Sequence, residues 1–423
     1  MDYKERIADK ILEKKLASKG AVLIEGAKWC GKTTTAEQHA KSVLYIDDPA
    51  SMNDNLQMAE VNPRLLLTGE APRLIDEWQL APKLWDAVRF EVDHRRQVGQ
   101  FVLTGSAVPA NEKDIYHSGT GRFSWLTMRP MSLYESGESN GQVSLSALFD
   151  STEDVAGINS LSIDDIAFLI CRGGWPFATM LSGEAALSQA YDYVEAVIKK
   201  DISRVDGVNR DATTARLIMR SYARNQASQA SIGTIMADMA TNAADEASEK
   251  TISAYINALK KLFVIEDSEA WNPNLRSKTA IRTANTRYFA DPSIGAAILR
   301  IGPGDLIKDL NTMGLMFEAL CIRDLRVFAD ALDGQVYHFR EKNGLECDAV
   351  VHLNNGKFGL VEIKLGGETL VNEGAKSLKE LASKINTDKM NAPSFLMVLT
   401  GVGKYAYKRT DGVLVVPIGC LKN

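Results

Sequence analysis

A chain of 423 residues with 45% hydrophobic and 24% charged residues has a soluble globular composition and is too long for one ordinary core. Its net charge of −5 excludes a uniformly basic surface, so any DNA or RNA contact must come from a local basic patch. Five cysteines without a CxxC pair or Cys/His metal spacing exclude a zinc finger and fit a reducing cytosol.

The first residues, MDYKERIADKILEKKL, are charged and helical in pattern and carry no apolar signal core, so a cytoplasmic location is expected. The longest apolar runs (Ala21 to Ile24, Phe101 to Leu103, Val413 to Val416) fall far short of the roughly 20 residues of a membrane helix. Strand-like and helix-like segments then alternate: AVLIEG, the helix TTTAEQHAKS, and the strands VLYIDD, PRLIDE and QFVLTGS. That alternation predicts an α/β domain on a parallel sheet over residues 1–150, with the Ser-, Gly- and acid-rich stretch Ser136 to Ser160 as its boundary.

Within this domain GAKWCGKT, Gly26 to Thr33, matches G-x-x-x-x-G-K-[ST] between a strand and a helix. Backbone N–H groups of such a loop and the positive end of the helix hold phosphate oxygens. Gly26, Gly31, Lys32, Thr33 and Thr34 are therefore the expected ATP ligands, with Lys32 on the β- and γ-phosphates and Thr33 on Mg²⁺. In PRLIDEWQ, Asp76 is placed for the Mg²⁺ shell and Glu77 to deprotonate the attacking water. Thr104 and Ser106, in FVLTGS, read either as γ-phosphate sensors or as a capped strand end. Arg122, after a glycine turn, reads as a γ-phosphate contact in cis or from a neighbouring subunit, or as a plain surface arginine.

Residues 151–294 are mostly helical in period: ALSQAYDYVEAVIKKDI, ATTARLIMRSYARNQ, the short SIGTIMADMA, and SEKTISAYINALKKLFVI. FVIEDSEAWNP and TRYFADP follow as expected strands, the order of a winged helix-turn-helix. Between Glu269 and Asp291 there is no acidic residue, while Arg276, Lys278, Arg282 and Arg287 all fall there, the composition of a phosphate-contacting wing or of a solvated loop. The preceding helix has no row of base-reading side chains, so any DNA contact is expected to be to the backbone.

Residues 295–423 form a further mixed α/β segment: the helix GLMFEALCIRDLRVFADAL, the strands QVYHFREK, ECDAVVHL and FGLVEIKL, the helix Asn372 to Ile385, and the strands SFLMVLTG and GVLVVPIG. Alternation puts Glu362 and Lys364 on one strand face, with Asp348 on the neighbouring hairpin strand and Glu318 on the helix before it. Carboxylates converging on a second divalent metal with a lysine beside them suit phosphodiester hydrolysis. The same residues also fit an endonuclease-like fold kept for binding, or ordinary sheet charges.

The order GxxxxGKT, LIDEWQ, VLTGS, then GR followed by MRPMSLYE, then RGGWP, KKDIS and the terminal E-C-D…V-E-I-K strands resembles the AAA-type ATPases that carry a C-terminal domain of unknown function. Those proteins occur in bacteria and archaea and are related to the archaeal-ATPase group. The resemblance implies an ATPase of the class with an extra strand, joined to a winged helix and a restriction-endonuclease-like fold. Three functions follow as expectations: ATP hydrolysis coupled to nucleic-acid handling, an ATP-regulated metal-dependent nuclease, or a nucleotide-gated switch acting on a protein partner or a homo-oligomer.

Overall fold

A computed structural model describes residues 3–105, 117–240, 248–273, 283–341 and 344–423. By internal packing the chain divides into two units: Met1–Pro130 with Ala196–Ala212 and Tyr255–Val264, and Met131–Glu195 with Thr213–Ala254 and Ile265–Asn423.

In the first unit, β1 (Ala21–Glu25), β2 (Ser42–Tyr45), β3 (Arg73–Asp76), β4 (Phe101–Gly105) and β5 (Phe123–Thr127) form one sheet in the order β2-β3-β4-β1-β5. Every pairing in it is parallel. Period-2 alternation sends successive residues to opposite faces. Ala21, Leu23, Ile75, Phe101 and Leu103 join Trp85 and Val88 of the helix Lys83–Arg95 on one side. Val22, Ile24, Leu74 and Val102 join Leu12 and Leu16 of the helix Ile7–Leu16 on the other. Covering both faces is what makes the central strands read as apolar runs. The edge strand β5 escapes that reading because only Phe123 and Leu126 of it are buried, with Phe123 stacked on Trp85 at a centroid distance of 4.0 Å. Because β4 lies between them, the strand leading into the phosphate loop and the strand ending in Asp76 are not neighbours.

The middle of the chain is helical, with Ile163–Arg172, Gly183–Ala196, Ala212–Arg224, Ile232–Ala240 and Glu249–Lys261. The two strands expected after it are reduced to isolated antiparallel bridges, Ile265 with Phe289 and Ser268 with Thr286. The backbone here is shared with another partner, since Ala270 bridges His338 and Trp271 N–H donates to the His338 carbonyl.

In the second unit, β7 (Gly157–Ile158), β8 (Gly334–Arg340), β9 (Glu346–Leu353), β10 (Phe358–Lys364), β11 (Phe395–Thr400), β12 (Tyr405–Lys408) and β13 (Leu414–Pro417) form a mixed sheet in the order β7-β12-β13-β11-β10-β9-β8. β14 (Leu421–Lys422) pairs separately with β6 (Val143–Ser144). The helices Leu310–Ala331 and Glu368–Lys384 pack on the sheet, the second through Val371, Leu378 and Leu381 against Phe358, Leu360, Val398 and Val415. Each fully buried side chain of this kind contributes about 1.5–3 kcal/mol. Among the described residues no helix is long and apolar enough to cross a membrane.

One buried cation organises this unit. Arg323, 2% exposed, donates to Asp291 Oδ2 at 2.8 Å and to Asp324 Oδ1 at 2.7 Å. The same Asp291 oxygen accepts the Gly174 N–H at 3.0 Å, and Asp324 Oδ2 accepts the Leu133 N–H at 2.9 Å. Gly174 allows the approach: a Cβ there would lie 2.1 Å from the Met131 carbonyl oxygen. Burial pushes the Asp324 carboxyl up to about 6 although Arg323 opposes the shift. Arg323→Met strands two buried carboxylates, and loss of one partner from a buried pair costs about 3–5 kcal/mol. A fall of that size in the unfolding free energy of the second unit is expected in urea titrations of the full chain; a change below about 1 kcal/mol, the value of an exposed pair, would refute the assignment.

Candidate functional site

The loop Gly26–Thr33 leaves the C-terminal end of β1 and opens the helix Lys32–His39. Its turns require glycine. Gly26 has φ +150° and Gly31 φ +100°, and a Cβ on Gly26 would lie 2.0 Å from the Met128 carbonyl oxygen. The first N–H groups of any helix have no partner within it, so those around Gly31 to Thr34 are suited to an anion, with the positive end of the helix dipole behind them. The Lys32 ammonium is buried and donates to the carbonyls of Gly26 at 2.9 Å and Ala27 at 2.8 Å.

Asp76 ends β3 and is 7% exposed. Its Oδ1 accepts the Thr33 hydroxyl at 2.8 Å and also the hydroxyl of Thr104, which lies opposite it on β4. Burial raises the Asp76 carboxyl above its ordinary range, against the pull of these two donors. Glu77 follows in a left-handed conformation, φ +53°, and its carboxylate accepts from the Gln79 amide. Burial raises its carboxyl too, reinforced by the neighbouring Asp76 charge. The strand order therefore brings Lys32, Thr33, Asp76, Glu77 and Thr104 to one edge of the sheet. Ser106 lies outside the described residues.

Arg122 is not brought to this edge. Its carbonyl accepts from Ala21 N–H at the start of β1, whereas the phosphate loop leaves the far end of that strand. Its guanidinium is taken by Asp93 Oδ1 at 2.8 Å and the Thr120 carbonyl at 3.1 Å. Four strand residues at about 3.3 Å each separate it from the loop, too far for a γ-phosphate contact within one chain. Unanticipated instead is Arg6, which donates to the carbonyls of Cys30 at 2.8 Å and Arg129 at 2.9 Å. Beside it Asp9 accepts from the Arg6 N–H, from Tyr3 and from His39, clamping the segment before the sheet onto the phosphate-loop helix. The only signal in the sequence was that this charged N-terminal pattern is helical.

In the second unit, Lys364 Nζ lies 2.7 Å from Glu362 Oε2 and 3.3 Å from Asp348 Oδ2, and Asp348 also accepts the Ile363 N–H at 2.7 Å. Glu318, held by the Tyr288 hydroxyl, lies in the field of the same groups. The four predicted residues thus come together. Burial, then the Asp348 charge, pushes the Glu362 carboxyl up to about 8, and the same two causes raise Glu318. The expected second metal is not supported by grouping: among the described residues no three His, Cys, Asp or Glu side chains are placed to hold one ion. Lys364 supplies the positive charge there. Arg287 is a correction. It is half-buried and donates to Asp267 at 2.8 Å and to the Ala230 carbonyl at 3.0 Å, so it is a fastener of the fold and not a free phosphate contact. Arg276, Lys278 and Arg282 lie outside the described residues.

Residues 18–137 match the model of an AAA domain, and residues 313–421 match a domain of unknown function, DUF4143. The chain is an AAA-domain protein with a C-terminal domain of unknown function. Residues 163–305 match a further domain of unknown function, DUF8612. No curated protein sequence matches. Among solved structures, a Walker-type ATPase of Pyrococcus abyssi is 15% identical, covering 71% of this chain and 97% of its own, at a TM-score of 0.45. The Orc1 protein of Aeropyrum pernix in complex with DNA is 12% identical, covering 71% and 93%, at a TM-score of 0.24. RuvB of Thermotoga maritima is 16% identical, covering 62% and 88%, at a TM-score of 0.28.

The AAA domain gives a direct test of the loop geometry. Gly26→Ala places a methyl group against the Met128 carbonyl and needs a backbone conformation that alanine avoids. Equilibrium dialysis with MgATP is expected to show at least about a ten-fold loss of affinity, since 1.4 kcal/mol of strain already gives that factor. Unchanged affinity would show that the loop is not built around the Gly26 turn.

Proposed function

We propose that the AAA domain binds and hydrolyses MgATP. The observation that carries this reading is the double donation of Thr33 and Thr104 to one oxygen of Asp76, with Glu77 directly after it. Gly26 and Gly31 shape the loop, and the N–H groups through Thr34 take the phosphate oxygens. Lys32 is held by two neutral carbonyls, a hold it can exchange for the β- and γ-phosphates of the substrate. Thr33 and Asp76 are the groups suited to the magnesium ion that accompanies ATP, the hydroxyl directly and the carboxylate through its shell. The ion supplies charge neutralisation on the phosphates. Glu77, held by Gln79, takes the proton of the attacking water; Ser106 is proposed to meet the γ-phosphate.

Lys32→Ala is expected to abolish nucleotide binding, and Glu77→Gln to retain bound ATP while lowering turnover by about 10²–10⁴-fold, the usual contribution of a general base. Glu77 acts only when ionised and its carboxyl is raised, so turnover should be present above that raised value and fall as pH drops through it. The acid limb is thus expected above the ordinary glutamate value of about 4.3 and absent in Glu77→Gln. Unchanged turnover in Glu77→Gln removes it as the base.

We further propose three modules, 1–150, 151–294 and 295–423, the second a winged helix and the third endonuclease-like. The winged-helix reading draws on the order of three helices followed by the bridges Ile265–Phe289 and Ser268–Thr286. A second reading, an ATP-regulated nuclease acting on DNA, is favoured by the convergence of Glu318, Asp348, Glu362 and Lys364. Glu362 Oε1 is buried without a hydrogen-bond partner, which fits a cation as its missing neighbour. Asp348 and Glu362 would hold a divalent ion that activates water, and Lys364 would steady the phosphate. Plasmid incubated with Mg²⁺ or Mn²⁺ is expected to be cut by the wild type and not by Asp348→Ala. Equal cutting by the two, or none by either, removes this reading and leaves the ATPase untouched.

A further inference from the structure

The phosphate loop contains a residue that its motif does not account for. Trp29 has φ +65°, a left-handed conformation that a side chain other than glycine keeps only when its surroundings impose it. Both of its neighbours are tethered. On one side Cys30 is fixed twice, its carbonyl by Arg6 at 2.8 Å and its thiol to the Met128 carbonyl at 3.3 Å. On the other side Lys28 Nζ donates to Asp201 Oδ1 at 2.6 Å.

Asp201 belongs to KKDIS, a stretch for which the phosphate-loop chemistry gives no role. It lies far beyond residue 137, where the match to the AAA domain ends, and inside the segment matched by DUF8612. Nevertheless Ala196–Ala212 packs as part of the first unit, with the phosphate loop. Asp201 closes a π-helical turn, Val197–Asp201, a rare local form that recurs at functional positions. Its side chain is 9% exposed, against 42% for that of Lys28. The segment after it is braced within the same unit. Arg210 grips Asp206 at 2.6 and 2.7 Å and the Ile202 carbonyl at 2.8 Å, and Asp211 N–H donates to the Tyr255 hydroxyl at 2.9 Å. A shielded carboxylate on a braced segment is a fixed anchor, and the half-exposed lysine is the part that gains order from it.

We propose that Asp201 is a positioning residue of the nucleotide site: by holding Lys28 it fixes one flank of Trp29 and keeps the loop N–H groups aimed at the phosphates. The AAA domain therefore takes one of its working parts from the middle segment. The proposal rests on the ATPase reading. It concerns binding rather than chemistry, because Lys28 and Asp201 bond each other and not Asp76, Glu77 or Lys32.

The test uses the full chain and MgATP, with the dissociation constant from calorimetry and kcat from phosphate release. Asp201→Asn and Lys28→Met are each expected to weaken ATP binding about ten-fold, the effect of losing one hydrogen bond to a charged group, with kcat changed less than about two-fold. The double variant should be no weaker than either single one, and Asp201→Glu should restore most of the affinity. If both single variants bind ATP as the wild type does, or if the double variant multiplies the two losses, the tether does not position the loop. Thermal melting separates loss of folding from loss of binding, and Lys28→Met, altered at a half-exposed side chain, carries the comparison if Asp201→Asn does not fold. Failure of the ATPase reading looks different: the wild type itself would not bind ATP, or Lys32→Ala would bind it equally well.

Discussion

The second unit depends on a guanidinium that never meets water. Arg323 neutralises Asp291 and Asp324, and those carboxylates in turn accept backbone N–H groups from Gly174, Ser293 and Leu133. Burying an ion pair is rarely favourable against an apolar core of the same volume. What an apolar replacement could not do is accept those backbone donors, which would then be buried without partners. The charges are thus kept for the sake of the peptide groups they satisfy. Through them the segments MRPMSLYE, RGGWP and ADPS meet at one point on the helix Leu310–Ala331.

This accounts for part of what the sequence could not explain. RGGWP reads as a glycine turn with a tryptophan and suggests no chemistry. In the fold Gly174 makes a close backbone approach, Trp175 Nε1 donates to Ser293 Oγ at 3.0 Å, and Arg172 pairs with Glu138. Each partner lies more than 30 residues away, so no local pattern could have named it. The same limit applies to single charges. Arg122 and Arg287 look like free cations in sequence, and each is consumed by an aspartate, Asp93 and Asp267, that nothing in the text pairs with it. Charge is legible; its counter-charge is not.

Backbone requirements were far more legible. The phosphate loop needs left-handed or crowded positions at Gly26 and Gly31, and glycine is the residue that permits them. Asp76 and Glu77 stood out by position, following a strand-like run 43 residues beyond Thr33, because an acidic pair at a strand end alone reads equally well as solvated charge. Interior strands such as β1 and β4 read as apolar runs since both faces are covered. β5, β7 and β12 were missed because strands carrying exposed residues such as Trp125, Ile158 and Tyr405 lose that signature. The strands expected of a wing became two bridges, because the propensity that suggested them does not say that Ala270 and Trp271 pair with His338.

The two carboxylate centres differ in what balances them, and that difference separates them chemically. At Asp76 the balancing groups are neutral hydroxyls, and the nearby Lys32 is held by carbonyls. Neither a negative substrate nor its metal has to break an ion pair to enter. At Glu362 the balance is Lys364, which touches two carboxylates, while Glu318 is a third carboxyl in the field of the same groups. A cation entering there must compete with an ammonium already in place, in a setting where burial has made the ionised forms of Glu362 and Glu318 costly. The AAA domain is therefore poised for its ligand as it stands. At the C-terminal cluster the same step requires Lys364 to leave Glu362 and Asp348 first.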